Sequence, residues 1–375
     1  MDTEKGAPLP TPESRSQAFP CSSCGGELHW DPGATEMKCP YCGSLVEVPK
    51  GGAFQAEEHD LMAFLEGHPK AQGYGVPMDE FTCKSCGATA KVPGGRRDLN
   101  CPFCGTTYVF EAKSGSDEVL QPESVAPFAV SKESCLEKFK TWIGKGWFRP
   151  NDLKKLGKLD RITGIYMPYF TFDAQADSTW TAEAGYYYTV TERVAVTRDG
   201  KTEYEDRQVQ KVRWEPASGR RSDFYDDVTV PAVSQQRLDL MSRVLPFDMK
   251  GLKPYDTRFL SGFSVLNAEV PLKQVYLVAK ANMESDQVGR CSKNVPGDTQ
   301  KDLRVQTLLS RQTFKHLMCP LWVGSFKYKA KVYAFLINGQ TGALYGEKPW
   351  SWVKITLFVL SLIAAGAAVY FLMNR

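Results

Sequence analysis

A chain of 375 residues, 42% hydrophobic and 24% charged, has the composition of a folded globular protein and room for two or three domains. This excludes wholesale disorder, a collagen-like repeat and a multi-span transporter. The formal net charge of +3 sets up no strong basic field for nucleic acid. The four histidines (His29, His59, His68, His316) are too scattered for a histidine-rich catalytic metal centre.

Residues 1–18 open with Asp2 and Glu4 and carry Pro8, Pro10 and Pro12. They contain no apolar stretch, so they read as a disordered lead-in and not as a secretory signal or a membrane span. Residues 19–50 hold Cys21-x-x-Cys24 and, 14 residues on, Cys39-x-x-Cys42. Residues 81–112 repeat the pattern as Cys83-x-x-Cys86 and Cys101-x-x-Cys104, each cysteine displaced by 62. Four thiolates suit a tetrahedral Zn²⁺, and each Cys-x-x-Cys turn presents two sulfurs on one side of a knuckle. Gly25, Gly43, Gly87 and Gly105 follow the second cysteine of each pair, where a residue without Cβ lets the backbone turn its amides toward sulfur. The expectation is two tandem zinc ribbons with one Zn²⁺ each. Iron uses the same ligands, so the metal is inferred from the thiolates and not read from them. A disulfide framework fits less well, because Cys135, Cys291 and Cys319 leave an odd number.

The ribbons differ in charge. Residues 21–48 carry Glu27, Asp31, Glu36 and Glu47 against Lys38, whereas residues 83–110 carry Lys84, Lys91, Arg96 and Arg97 against Asp98. Arg96 and Arg97 are therefore the candidates for contact with phosphate or an acidic partner, and protein contact is favoured over nucleic acid. Between the ribbons, residues 51–80 form a linker in which residues 56–66 predict a short helix stopped at Gly67.

After a polar linker at residues 113–125, residues 126–347 have the composition of a compact domain. Ser131 predicts a helix cap, with Leu136, Phe139, Trp142 and Ile143 on one face. Residues 179–196 and 202–214 predict two strands joined by the turn Arg198-Asp199-Gly200-Lys201. Residues 235–244 and 272–288 predict helices, and residues 321–345 strands with a turn at 338–342. The fold class expected is α+β with a mainly antiparallel sheet. No phosphate-binding loop, G-x-S-x-G or H-E-x-x-H motif occurs, so neither nucleotide binding nor catalysis has support in the sequence. Asp223, Asp226 and Asp227 predict a turn, with a metal or acid–base pair as the minor reading; His316 predicts a strand or core residue.

Residues 350–374 predict a transmembrane tail anchor. The 19 residues 355–373 carry no charge, and at about 1.5 Å per residue they make roughly 28 Å of helix, close to the hydrocarbon thickness of a bilayer. Trp350, Trp352 and Tyr370 stand near the two interfaces, flanked by Lys354 and Arg375.

The order of parts, with stretches such as PFAVSKESCLEKFKTWIGKGWFRPNDLKKL, GIYMPYFTFDAQADSTW, FYDDVTVPA and INGQTGALYGEKPWSW, resembles a bacterial family of tail-anchored TFIIB-type zinc-ribbon membrane proteins. Its members are often labelled primosomal replication-restart helicase. The resemblance implies a non-enzymatic adaptor at the inner membrane, its bulk in the cytoplasm, linked to phage-shock-type envelope stress. It implies as partners a PspA-like, ESCRT-III-related remodelling protein and ribbon or SPFH-like neighbours. The site residues it carries over are the eight cysteines. The helicase label does not carry over, because the chain has no loop for ATP phosphates. The alternative reading is a membrane-tethered nucleic-acid binder using Arg96 and Arg97.

Overall fold

A computed structural model describes residues 19–48, 54, 56–67, 78–82, 89–93, 98–100, 107–109, 122–153, 158–198, 201–232, 241–266, 268, 270–329 and 331–373. The chain begins with three short antiparallel strands, β1 (His29–Asp31), β2 (Glu36–Lys38) and β3 (Leu45–Val46). Next come β4 (His59–Asp60) and helix α1 (Leu61–Gly67). The expected helix over 56–66 is thus shortened. His59 and Asp60 are drawn into a sheet pairing, and the Asp60 carboxylate accepts from the Ala63 amide (2.8 Å), which starts the helix there.

Two hairpins follow, β5 (Met78–Thr82) with β6 (Thr89–Pro93) and β7 (Asp98–Asn100) with β8 (Thr107–Val109). After β9 (Ser124–Val125), Ser131 caps helix α2 (Lys132–Ile143), its hydroxyl accepting from the Ser134 amide. The helix buries Cys135, Phe139 and Ile143.

Three very long strands build the body: β10 (Lys158–Arg198), β11 (Lys201–Pro231) and, after β12 (Lys253–Pro254), β13 (Ser264–Val265) and helix α3 (Leu272–Ser292), strand β14 (Thr299–Tyr328). The two strands expected at 179–196 and 202–214 are the outer parts of β10 and β11. Asp223, Asp226 and Asp227 lie inside β11, not in a turn. Strands β15 (Lys331–Asn338) and β16 (Leu344–Gly346) complete the path β11-β10-β14-β15-β16, all antiparallel. Of the helix expected at 235–244, residues 235–240 lie outside the described residues. Helix α4 (Trp352–Met373) ends the described chain. The fold is α+β with a mainly antiparallel sheet, as the mixture of strand runs and separated helices implied.

Burial follows the pleat. Along β10, Ala176, Ser178, Trp180 and Ala182 are buried while Asp177, Thr179 and Thr181 are exposed. The buried face lies under α3, whose Leu272, Val275, Ala279, Met283, Gln287 and Cys291 recur at helical spacing. Ala174 and Ala176 leave room for that helix. Gly324 stands directly opposite Phe335, whose ring lies where a Cβ would project. His316 is buried in β14 and stacked on Phe170 at 4.6 Å, a core strand residue as expected.

Candidate metal centre

The chain reverses twice around Cys21, Cys24, Cys39 and Cys42 in the same way. Gly25 N–H donates to Cys21 O (2.8 Å) and Gly43 N–H to Cys39 O (2.9 Å). Gly25 (φ 73°) and Gly43 (φ 75°) take the left-handed conformation that these turns require. Sulfur separations are 3.6 Å between Cys21 and Cys42 and 3.5 Å between Cys24 and Cys39, with all four ligand atoms within 4.8 Å of one another. A tetrahedral ion with thiolates at about 2.3 Å would hold its sulfurs about 3.8 Å apart. The residues present therefore fit one four-thiolate ion.

The electrostatics point the same way. Backbone amides at Ser23 and Cys24 lower the Cys21 thiol. The Ser44 hydroxyl, 3.1 Å from Cys42 Sγ, and the Ser44 amide lower Cys42 to about 6. Cys24 faces the amide of Gly26, but the neighbouring thiols of Cys39 and Cys42 push it up to about 12. Amides and a hydroxyl favour thiolate on one side of the cluster while crowding opposes it on the other. A bound cation resolves that conflict.

This four-cysteine unit is seated on the sheet domain. The Trp30 indole N–H donates to Phe128 O (3.0 Å), its backbone N–H donates to Ser261 O (3.1 Å), and its ring meets Phe259 edge-on at 4.9 Å. Ser261 Oγ donates to Leu28 O (2.6 Å). Cys21, Cys39, Trp30 and Met37 share one hydrophobic core with Phe128, Phe139 and Phe335. A cleft of about 600 Å³ opens beside this seam, with Trp30, Phe128 and Phe259 in its wall and Glu36, Glu47 and Asp248 among its charged residues.

Cys83, Cys86, Cys101, Cys104, Arg96 and Arg97 lie outside the described residues. Their flanking strands preserve the repeat. In the first copy Met37 pairs with Val46 and Lys38 with Leu45. In the second, Leu99 pairs with Tyr108 and Asn100 with Thr107, every position 62 residues on.

The aspartates divide between two sites. Asp223 receives Arg221 (2.5 Å), Arg290 (3.0 Å) and Gln287 (3.0 Å), which hold its carboxyl down at about 2, the Arg221 hydrogen bond contributing most. Asp226 and Asp227 approach Asp173 instead. Burial pushes Asp173 up to about 6. Lys315 supplies the positive charge there, with Nζ 2.8 Å from Asp227 and 3.3 Å from Glu58. Asp173 was the member that sequence reasoning missed, because it lies more than 50 residues away on β10.

No family model and no solved structure matches the chain. Over 362 residues it is 23% identical to "Uncharacterized protein YdjG" of Bacillus subtilis (strain 168), a similarity spanning 93% of this chain and 94% of that one.

Proposed function

We propose that the chain is a non-enzymatic, membrane-tethered zinc-ribbon adaptor that recruits cytoplasmic proteins to the inner membrane. The observation that carries this reading is the join between a metal-ready ribbon and a sheet domain ending in an apolar helix of which no residue is buried. Helix α4 is 22 residues long and none of its most apolar window is buried, which supports a single-pass anchor. The cleft beside the ribbon, with an apolar wall and an acidic rim, supports a protein-binding role. Zn²⁺ binds Cys21, Cys24, Cys39 and Cys42, and a second ion binds Cys83, Cys86, Cys101 and Cys104; the repeated strand register of the two ribbons supports the second site. The family resemblance alone motivates the choice of a PspA-like remodelling protein, with ribbon or SPFH-like neighbours, as partner in a phage-shock-type system.

The test is co-purification of the membrane-extracted full chain with its partners, beside a chain lacking residues 350–375. The full chain should carry two zinc ions and bring the remodelling protein to the membrane, and the shortened chain should leave both in the soluble fraction. Partner localisation unchanged by the deletion sinks the recruiting role.

A further inference from the structure

The connection after α2, residues 144–149, folds back over some 200 residues of sequence to the base of α4. Lys348 Nζ donates to Trp142 O (2.5 Å) and Lys145 O (3.1 Å), and the Arg149 guanidinium donates to Lys348 O (2.8 Å) and Pro349 O (3.2 Å). The Arg149 guanidinium also lies 4.0 Å over the Trp350 ring. Ser351 N–H donates to Phe148 O (2.8 Å) and Lys354 Nζ to Trp147 O (3.1 Å). The Phe148 ring meets Phe358 edge-on at 5.3 Å. Phe358 stands in the second turn of α4, roughly 9 Å along its axis. Residues 147–148 therefore lie beside the apolar helix itself, beyond its polar approach. Yet Trp147 is 82% exposed, alongside Trp350 at 56% and Trp352 at 76%.

The charges at this base are one-sided. Lys145, Arg149, Lys348 and Lys354 converge there, and among the described residues none of them is ion-paired with a carboxylate. Burial lowers Lys348 to about 8, and nearby Arg149 and Lys145 add to the shift. A cluster of cations held together by carbonyl oxygens, ringed by exposed indoles and continuous with an apolar helix, has the chemistry of an interface with anionic lipid.

We propose that residues 144–149 are a second membrane contact, placing Trp147 and Phe148 in the interfacial layer and forming with Lys348 and Lys354 a seat for anionic phospholipid headgroups. The inference rests on the reading of α4 as a membrane span. The seat fixes the tilt of the sheet domain over the bilayer, because it ties the domain to the surface at a point outside the helix.

The test uses the full chain reconstituted in phosphatidylcholine vesicles with and without phosphatidylglycerol. Alkaline carbonate extraction reports the span. Native mass spectrometry of the detergent-extracted chain reports retained phosphatidylglycerol, and quenching by lipids brominated near the headgroup reports tryptophan depth. The wild type should resist carbonate and retain phosphatidylglycerol. The Lys145→Gln/Lys354→Gln double variant should retain it roughly tenfold less or worse, and Trp147→Phe should lower the quenchable fluorescence. A carbonate-resistant chain whose lipid retention and quenching are unchanged by these substitutions overturns the headgroup seat alone. A chain stripped by carbonate overturns the span and the seat with it.

Discussion

Cys39 is fully buried, and its sulfur lies 3.5 Å from that of Cys24 inside the core that ribbon and domain share. Replacing it with serine removes one thiolate and, on the proposed reading, leaves the amide-stabilised Cys21 and Cys42 without the cation that would balance them. Structural Zn²⁺ contributes on the order of 10 kcal/mol or more to folding such small units. On the proposed reading, Cys39→Ser lowers zinc from two ions per chain to one, measured by metal analysis, and loosens the seam at Trp30, seen as a red-shifted tryptophan emission. Loss of both ions would show that the ribbons are coupled. Asp223 and the buried Asp173 respond to pH with opposite sign. Asp223, 12% exposed and depressed to about 2, contributes stability above the unfolded-state value of about 4, and that stability is lost as the pH falls toward 2. Asp223→Asn should cost about 2 kcal/mol at neutral pH, a gap that closes on acidification. Asp173 is raised to about 6, so its protonated form suits the fold, and stability is lost as the pH rises from about 4 through 6. Asp173→Asn keeps an acceptor for the Asp227 amide, 2.7 Å away. It should gain roughly 1–2 kcal/mol at pH 7 and nothing at pH 4. Urea titrations at several pH values check both.

The long strands of the body end in a two-stranded arm. β14 leaves β10 at Gly185, and beyond it residues 186–198 pair only with residues 201–213. Among the described residues between Gly185 and Trp214, none belongs to any of the buried clusters. Amides of residues 186–195 should therefore exchange hydrogen far faster than those of residues 165–181, by mass-spectrometric exchange. Replacing residues 188–211 with Asn-Gly should shift the melting temperature by no more than a few degrees. A collapse of the fold would mean that the arm carries core contacts. The arm was legible in the sequence because its two strand-like runs are joined by a local turn, Arg198-Asp199-Gly200-Lys201. Its continuity with the rest of β10 in one unbroken strand was not. Register shifts at Leu159/Arg161, Asp173/Gln175 and Thr181/Glu183 interrupt the two-residue period. The start of β14 hid for another reason: Lys301, Asp302 and Arg304 give it the look of a loop. Helix α3 and the Cys21–Cys42 ligand set were readable because their signals lie within one element or one short repeat. The seating of Trp30 on Ser261 and of Arg149 on Pro349 was not, since those partners are about 200 residues or more apart.

At the scale of the whole molecule, the metal centre and the helix base bear on the same question, which side of the membrane the domain occupies. Thiolate ligands such as Cys21 and Cys42 persist in a reducing compartment and oxidise outside it. Lys348 and Lys354 precede α4 in sequence, and folding brings Lys145 and Arg149 to the same base. Lysine and arginine close to a span orient it toward the cytoplasm, and each such charge near an anionic leaflet adds about 1 kcal/mol of attraction. On the proposed reading, both arguments favour the cytoplasmic face for the cysteine cluster and the sheet. A cysteine added at Thr191, on the exposed arm, reports the orientation as labelling in excess of the parent chain's own eleven cysteines. With an impermeant maleimide, intact spheroplasts should leave it unmodified and permeabilised ones should modify it fully. Charge reversal of Lys348 and Lys354 to glutamate should raise the fraction labelled in intact cells, because it removes the nearest orienting charges while leaving the apolar length of α4 unchanged. Ready labelling of the unreversed chain from outside would refute the cytoplasmic placement, and with it the recruitment of cytoplasmic partners.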